Sequence, residues 1–548
     1  MAHCPITAEP HKMRLQAPPT LHRRQALQTI ARCAALATGG VALAGWAQPP
    51  AQAPMAAPPA GLPGGTAAAV DRVVAEQWRV LSRLGYGPTA SLVQELQAAS
   101  NPRAWALQQI DTAQRASQSA PMLSAELQDI NAPLPQIFVG AQRERQARAS
   151  LKATGDTAEK NASTADTPNM DARQRLDFSV PAEPQNFNRS MIEKTAVWRL
   201  QASSQPAQEN ILLARMTEFW FNHLNVYIGK GAVRPFVGHY LIHVARAHAL
   251  GKFEDLLLAS ARHPAMLHYL DQAQSVANGT RGAQGSTRGL NENYARELME
   301  LHTLGVDGGY TQNDVHELAR VLTGWTVGPN AADGFRFALR THDGGNKRVL
   351  GHSYPEGLLG RGEAEGEQAI RMLARQPQTA RRLSLRLAQF FVADQPSPAL
   401  VQRLSKTFLD SQGDIKVWLQ TLVQSPEFWD PANRLFKTPM DFACSALTAT
   451  GAAPDRRALL LTLGFLNNAG QPLHGWQTPD GYKTDAATWL APEALTRRAD
   501  YALALGKLGG DLDFLRPYLG AATLDTVARQ KPGLQNGLLL ASPEFMYK

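Results

Sequence analysis

Helical periodicity runs almost without interruption from residue 188 to residue 507, and it limits what this chain can fold into more than any other feature. Apolar residues recur three and four apart over 188–202, 207–229, 236–250, 253–260, 264–272, 292–304, 313–325, 364–375, 378–393, 397–410, 414–424, 438–450, 456–466 and 493–507. Residues 70–97 add two helices broken at Gly85–Pro88. Only one stretch has the period of a strand. Phe335, Phe337 and Leu339 alternate with Arg336, Ala338 and Arg340, a His342–Asn346 turn follows, and Lys347–Leu350 returns. The expected fold is mainly α: one large multi-helix globular domain over 70–548 with a small inserted β-hairpin at 335–350. Residues 141–175 are polar and almost free of large apolar side chains, which reads as a disordered, solvated insertion.

Little besides core burial is available to hold such a domain together. Of the three cysteines, Cys4 and Cys33 fall near the N-terminus, in a stretch with the marks of an export signal. There Arg23-Arg24 precede a weakly apolar run, Cys33 to Trp46, that is too short and glycine-rich to span a bilayer. Paired arginines before a mild apolar run match a twin-arginine signal over 1–47. Cleavage is expected after Ala47 rather than Ala53, which Pro54 follows. Residues 48–69 are rich in Pro, Ala and Gly and read as a linker. Removing the signal leaves Cys444 alone, so no intrachain disulfide and no cysteine-held cluster is available. The expected location is periplasmic or extracellular.

Charge excludes another class. Lys and Arg number 55 and Asp and Glu 47. Residues 1–47 hold five of the basic residues and one acidic, leaving 50 and 46. That balance, with no long basic block, gives no reason to expect a nucleic-acid partner. No later apolar stretch is long enough for a membrane helix.

Polar chemistry concentrates in residues 290–327. At about 100° per residue, Asn293, Glu297 and Glu300 share one side of a helix with Arg296 alongside, while Tyr294, Leu298, Leu301 and His302 point away. Asn291 is the expected N-cap and Gly305 the C′ residue. A second helix starts at Thr311 with Asp314 in capping-box position, and carries His316, Glu317 and Arg320 opposite its core stripe. The two helices are expected to bring Glu297, Glu300, Arg296, Glu317 and Arg320 together, either as a site or as an internal ion-pair brace.

Other constellations are weaker. Met216, Trp220, His223 and Tyr227 share a helix face, either as core or as an aromatic wall with Asn222 and His223 as polar contacts. His342-Asp343, with Lys347 beyond, suits either an oriented imidazole or plain turn chemistry. Thr478–Tyr482 reads as a turn at a cleft mouth. Glu218-x4-His223 and Glu297-x4-His302 do not chelate from one helix face, so no metal is assigned, and no cofactor is identified. Nucleophile-elbow, P-loop and dinucleotide fingerprints are missing.

Several segments occur in an order that resembles a known family. They are RLGYGPT (83–89), FWFNHL (219–224), HPAMLHYLD (263–271), LNENYARELMELHTLGVDGGYTQNDVHELARVLTGW (290–325), THDGGNK (341–347), LGHSYPEG (350–357), an arginine-rich helix before FFVAD (390–394), FKTPMDF (436–442) and LASPEF (540–545). This string resembles the bacterial family called domain of unknown function 1800 over about residues 75–548. The resemblance implies export, often by the twin-arginine route, and a co-encoded exported partner; it carries no reaction. It picks out Asn293, Asp314 and Lys347 beside the residues named above.

Two functions follow as expectations. One is an envelope or extracellular protein that binds, and hydrolyses, a polymer such as a glycan. Its catalytic set is Glu297, Glu300, His302 and Arg296, and its substrate-binding set is Trp220, Asn222, His223, Glu317, Arg320, His342 and Asp343. The other is a non-catalytic scaffold or assembly factor working with the co-encoded partner.

Overall fold

The computed structural model describes residues 65–158, 176–179, 181–281, 287–355 and 362–548. The expected signal at 1–47 lies outside them. So does most of the linker, but a helix, Gly65–Leu84, already begins within it. The fold is mainly α, as the periodicity requires.

Caps and prolines set the helix limits. Thr311 and Thr438 each close a capping box, with Asp314 and Asp441 three residues on. Asn210 accepts from the amides of Leu212 and Leu213. Proline opens the helices Pro377–Phe391, Pro398–Asp410, Pro439–Thr450 and Pro492–Leu505, where its missing N–H is harmless. One continuous hydrophobic core runs from Val80 to Met546, with Trp105, Trp220, Trp325 and Trp418 fully buried.

Buried charge crosses that core. Asp441 accepts from Arg215 and, at 2.5 Å, from Lys548 Nζ. Burial raises the Asp441 pKa, but the two cations more than offset this and hold it well below the usual carboxylate range. Lys437 is buried beside them with its Nζ unpartnered, 4.1 Å from the Phe545 ring centre.

Two expectations need correction. The 335–350 hairpin does not form. Phe335–Phe337 pairs instead with Trp325–Val327, placing Trp325 opposite Phe337. Lys347–Val349 pairs with His352–Tyr354 through Leu350-Gly351, both at positive φ, as the tight hairpin turn demands. The intended turn residue Asp343 is claimed by Arg320 on the neighbouring helix. The disordered insertion is also overruled for 141–158, which belong to the helix Leu134–Ala158. Glu144 anchors it by accepting from the Asn188 amide at 2.6 Å and pairing with Arg148 at 2.7 Å. The rest of that segment, 159–175, lies outside the described residues.

Candidate functional site

The polar hairpin begins as expected and then widens. Asn291 Oδ1 accepts from the Asn293 amide at 2.9 Å, one residue ahead of the N-cap position, which Glu292 holds. The helix Asn293–Glu297 runs into a π-turn, Leu298–His302. Thr303 Oγ1 donates to Leu298 O at 2.6 Å, and Gly305, at φ +93°, donates to Met299 O at 3.1 Å. Tyr294, Leu298, Met299 and His302 face inward. Arg296, Glu297 and Glu300 stay half-buried on the outer side.

The charged residues separate into two groups rather than one. In the first, Arg296 reaches Glu292 at 3.3 Å, Glu300 at 3.4 Å and Gln312 at 2.9 Å, while His316 Nδ1 lies 2.9 Å from Glu292. In the second, Arg320 donates to Glu317 at 2.8 Å and to both Asp343 oxygens at 2.8 and 3.1 Å. Hydrogen bonds from Arg320 are the largest influence on Asp343 and lower its pKa. Glu317 and Arg320 therefore do not join Glu297: Asp343, from the next connection, neutralises Arg320 first. His342 does not form a dyad with Asp343 either. Its Nδ1 faces Thr323 O at 2.8 Å, and its Nε2 lies 3.4 Å from Lys347 Nζ and 3.6 Å from Glu365. Lys347 closes this second group by donating to Glu365 at 2.7 Å. It is a brace under the two strand pairs.

The aromatic wall is core. Trp220 is fully buried, donates to Ala249 O at 3.0 Å and packs against Phe219, Phe253 and Trp418. His223 and His302 are buried too, with His223 Nε2 3.0 Å from His302 O. That contact puts the proton on Nε2 and leaves Nδ1 an acceptor without a partner. Burial, Arg386 and Arg382 all depress the His223 pKa, and burial with the same arginines pushes His302 down to about 3. Both imidazoles are neutral and shut off from water, so neither serves as the cleft polar group expected of it.

A cleft of about 230 Å³ opens next to them. Its walls come from the end of the Ile211–His223 helix (Phe219, Asn222), from the Pro377–Phe391 helix (Arg386, Gln389) and from the loop 480–485. Asn222 fastens that loop by donating to Tyr482 O at 2.9 Å and accepting from its amide at 2.7 Å. Asn225 holds the carbonyls of Trp476 and Thr478, and Tyr269 that of Gln477. Asp480 stands at the centre, its carboxylate fixed by Trp476 Nε1 at 2.8 Å, Thr478 Oγ1 at 2.6 Å and Lys483 Nζ at 3.1 Å. Burial opposes ionisation, but these donors outweigh it and keep its pKa below normal.

Glu297 has the opposite environment. Among the described residues it makes no hydrogen bond or ion pair; burial first, then the charges of Glu300 and Asp480, raise its pKa, with Arg296 opposing. Glu297 also influences Tyr269 and Tyr310, whose phenols are pushed up mainly by burial. Of the residues expected from sequence, Asn222 lines the cleft, while Glu297, which feels the charge of Asp480, stands beside the lining with Glu300 and Arg296. The cleft adds Asp480, Arg386 and Lys483; Arg382, also under the charge of Asp480, and Tyr310, beside Glu300, flank it. The Thr478–Tyr482 turn and the arginine-rich helix were visible in the sequence, but nothing in either showed that they meet.

Among the described residues no three His, Cys, Asp or Glu side chains are placed to hold a metal ion. No described helix is long and apolar enough to cross a membrane.

A mainly helical protein with a charged cleft built from three distant segments is the class these features define. The chain belongs to the family described as Protein of unknown function (DUF1800), whose model matches residues 79–547. No curated protein and no solved structure matches it.

Proposed function

We propose that this protein is an exported hydrolase of a polymer such as a glycan, acting in the periplasm or outside the cell by acid–base chemistry at Glu297 and Asp480. The observation that supports it is the contrast between these two carboxyls. Glu297 is half-buried with no donor to stabilise its charge, while neighbouring Asp480 accepts from three donors. Carboxyls pushed apart in this way can divide the work of hydrolysis. One stays protonated to serve the leaving oxygen, and the other stays ionised to activate water or attack. Glu300 and Arg296 tune Glu297, and Tyr310 flanks Glu300. The braced residues Glu317, Arg320, His342 and Asp343 support the hairpin and take no part in this chemistry.

Glu297→Gln tests the reading. The variant is expected to melt at or above the wild-type temperature, because it removes a half-buried acid without a partner. It should lose at least about 100-fold in release of reducing ends from envelope polysaccharide, the scale of general-acid catalysis. Undiminished turnover in Glu297→Gln would sink the proposal. So would a wild-type protein that cleaves nothing in such a panel, which favours the scaffold working with a co-encoded exported partner. Capture of that partner, equally by wild type and Glu297→Gln, is the result the scaffold predicts.

A further inference from the structure

Arg382 and Arg386 lie one turn apart on the Pro377–Phe391 helix, half-buried, and among the described residues neither makes an ion pair, the Asp480 carboxylate acting on both through its charge alone. Arg382 Nε donates to Leu301 O at 3.2 Å and Arg386 Nη2 to Asp480 O at 3.3 Å. Both acceptors are backbone carbonyls. Asp480 is the nearby acid, but its carboxylate is already taken by Trp476, Thr478 and Lys483. Arg199 pairs with Glu218, Arg246 with Glu209 and Arg320 with Glu317 and Asp343, whereas Arg83 and Arg498, like this pair, bond backbone carbonyls, but inside the core and away from any cleft. Two like charges at i and i+4 repel, and burial adds to the penalty. Burial first, then repulsion from Arg382, pushes Arg386 down to about 10, with the charge of Asp480 opposing.

Asp394, just beyond the end of the same helix, also lines the cleft. Asp394 Oδ2 accepts from the Ala486 amide at 2.9 Å, while its Oδ1 is buried and without a partner. Of the other charged groups in the lining, Lys483 pairs with Asp480 and Asp485 caps Thr488, which leaves Arg386 as the lining cation without an ion pair and Asp394 Oδ1 as an unused acceptor. A guanidinium presents a planar fork of donors matched to the oxygens of a carboxylate, sulfate or phosphate. A carboxylate oxygen such as Asp394 Oδ1 accepts from a hydroxyl.

We infer that this cleft binds an acidic sugar unit, with its oxyanion held by Arg386, the charge of Arg382 one turn away adding to the attraction, and a ring hydroxyl donated to Asp394. This rests on the polymer reading for the sugar and adds the ligand's charge; the oxyanion contact stands without any turnover.

The test is a binding titration on the full protein with four probes. These are inorganic sulfate, inorganic phosphate, an oligogalacturonate, and the same oligomer methyl-esterified so that its charge is gone. The wild type is expected to bind the charged oligomer at least ten-fold more tightly than the esterified one. Arg386→Gln and Arg382→Gln should each lose ten-fold or more for every anion. Arg381→Gln, exposed on the same helix, should change nothing. Asp394→Asn should leave sulfate and phosphate binding intact while weakening the oligogalacturonate several-fold, separating an acidic sugar from a free anion. The empty Arg386→Gln protein should melt no lower than wild type, because one of two repelling charges is gone. Wild-type protein that binds the charged oligomer selectively but cleaves no polymer sinks the hydrolase reading alone, so the two failures are distinguishable. Equal affinity for charged and esterified oligomers overturns the inference. So does an Arg386→Gln protein with wild-type affinity. Tight binding of single-stranded DNA of matched charge overturns the sugar assignment, since it reports unselective attraction.

Discussion

Asp441 and Lys437 show how differently two buried charges act at neighbouring positions. Asp441 neutralises Arg215 and Lys548, so Asp441→Asn leaves two buried cations uncompensated and is expected to lower stability by about 3–5 kcal/mol. The Lys437 amine lies over the rings of Trp78 and Phe545 without a hydrogen-bond partner, and burial, the largest influence, depresses its pKa well below that of a free lysine despite the opposing charge of Asp441. The unfolded chain takes up a proton there that the fold resists, so Lys437→Met is expected to be neutral or to gain on the order of 1 kcal/mol. Urea unfolding of both variants at pH 7 checks the pair; a Lys437→Met protein destabilised by as much as Asp441→Asn would show that the amine carries a hidden contact. Sequence exposes such contrasts only in part. The Thr438–Asp441 capping box is readable in the string FKTPMDF, but that its acid also meets Arg215, 226 positions away, is not.

Among the elements, helices were legible and their partners were not. The expected 378–393 and 456–466 segments match Pro377–Phe391 and Arg456–Asn468 closely, because a buried stripe has to repeat every three or four residues. Strand pairing failed because alternation reveals a strand but not its neighbour: Phe335–Phe337 has the right period and chose Trp325–Val327. The candidate site shares this limit. Glu297, Glu300 and Arg296 stand within one helical stretch and could be read as a group. Asp480 joins them only through the docking of a loop, and Arg386 only through the packing of the Pro377–Phe391 helix. Gly481 makes that docking possible. Its φ is +74°, and a β-carbon there would come within 2.0 Å of Asn222 O. Gly481→Ala is therefore expected to cost at least about 2 kcal/mol, combining left-handed strain with the clash. Hydrogen exchange should accelerate across 476–485 while the Ile211–His223 helix keeps its protection. Unchanged exchange in that loop would mean that glycine is not what seats it.

Across the whole molecule, buried imidazoles set the response to acid. His223, His239, His263, His302 and His474 are all depressed, chiefly by burial, with His239 and His302 down at about 3. In the unfolded chain each titrates near 6.5. Between those values the unfolded state binds protons that the fold excludes. Stability is thus complete above about pH 6.5 and falls as pH drops toward 3, by on the order of 1.4 kcal/mol per unit for each histidine. Urea midpoints at pH 7.5, 6 and 5 should decline in that order. His474→Phe should flatten the slope, since both ring nitrogens of His474 lack partners and its ring packs edge-on against Phe221. A midpoint that holds steady from 7.5 to 5 would rule this out.

The wall that carries Asp480 has one more consequence, in time rather than in space. During synthesis, residues 476–485 leave the ribosome long after Glu297, Arg382 and Arg386 have emerged and begun to pack. Until that late loop settles onto Asn222, the hollow lacks its anchored carboxylate and one side of its rim. On the proposed reading, the site is therefore assembled only in that late step.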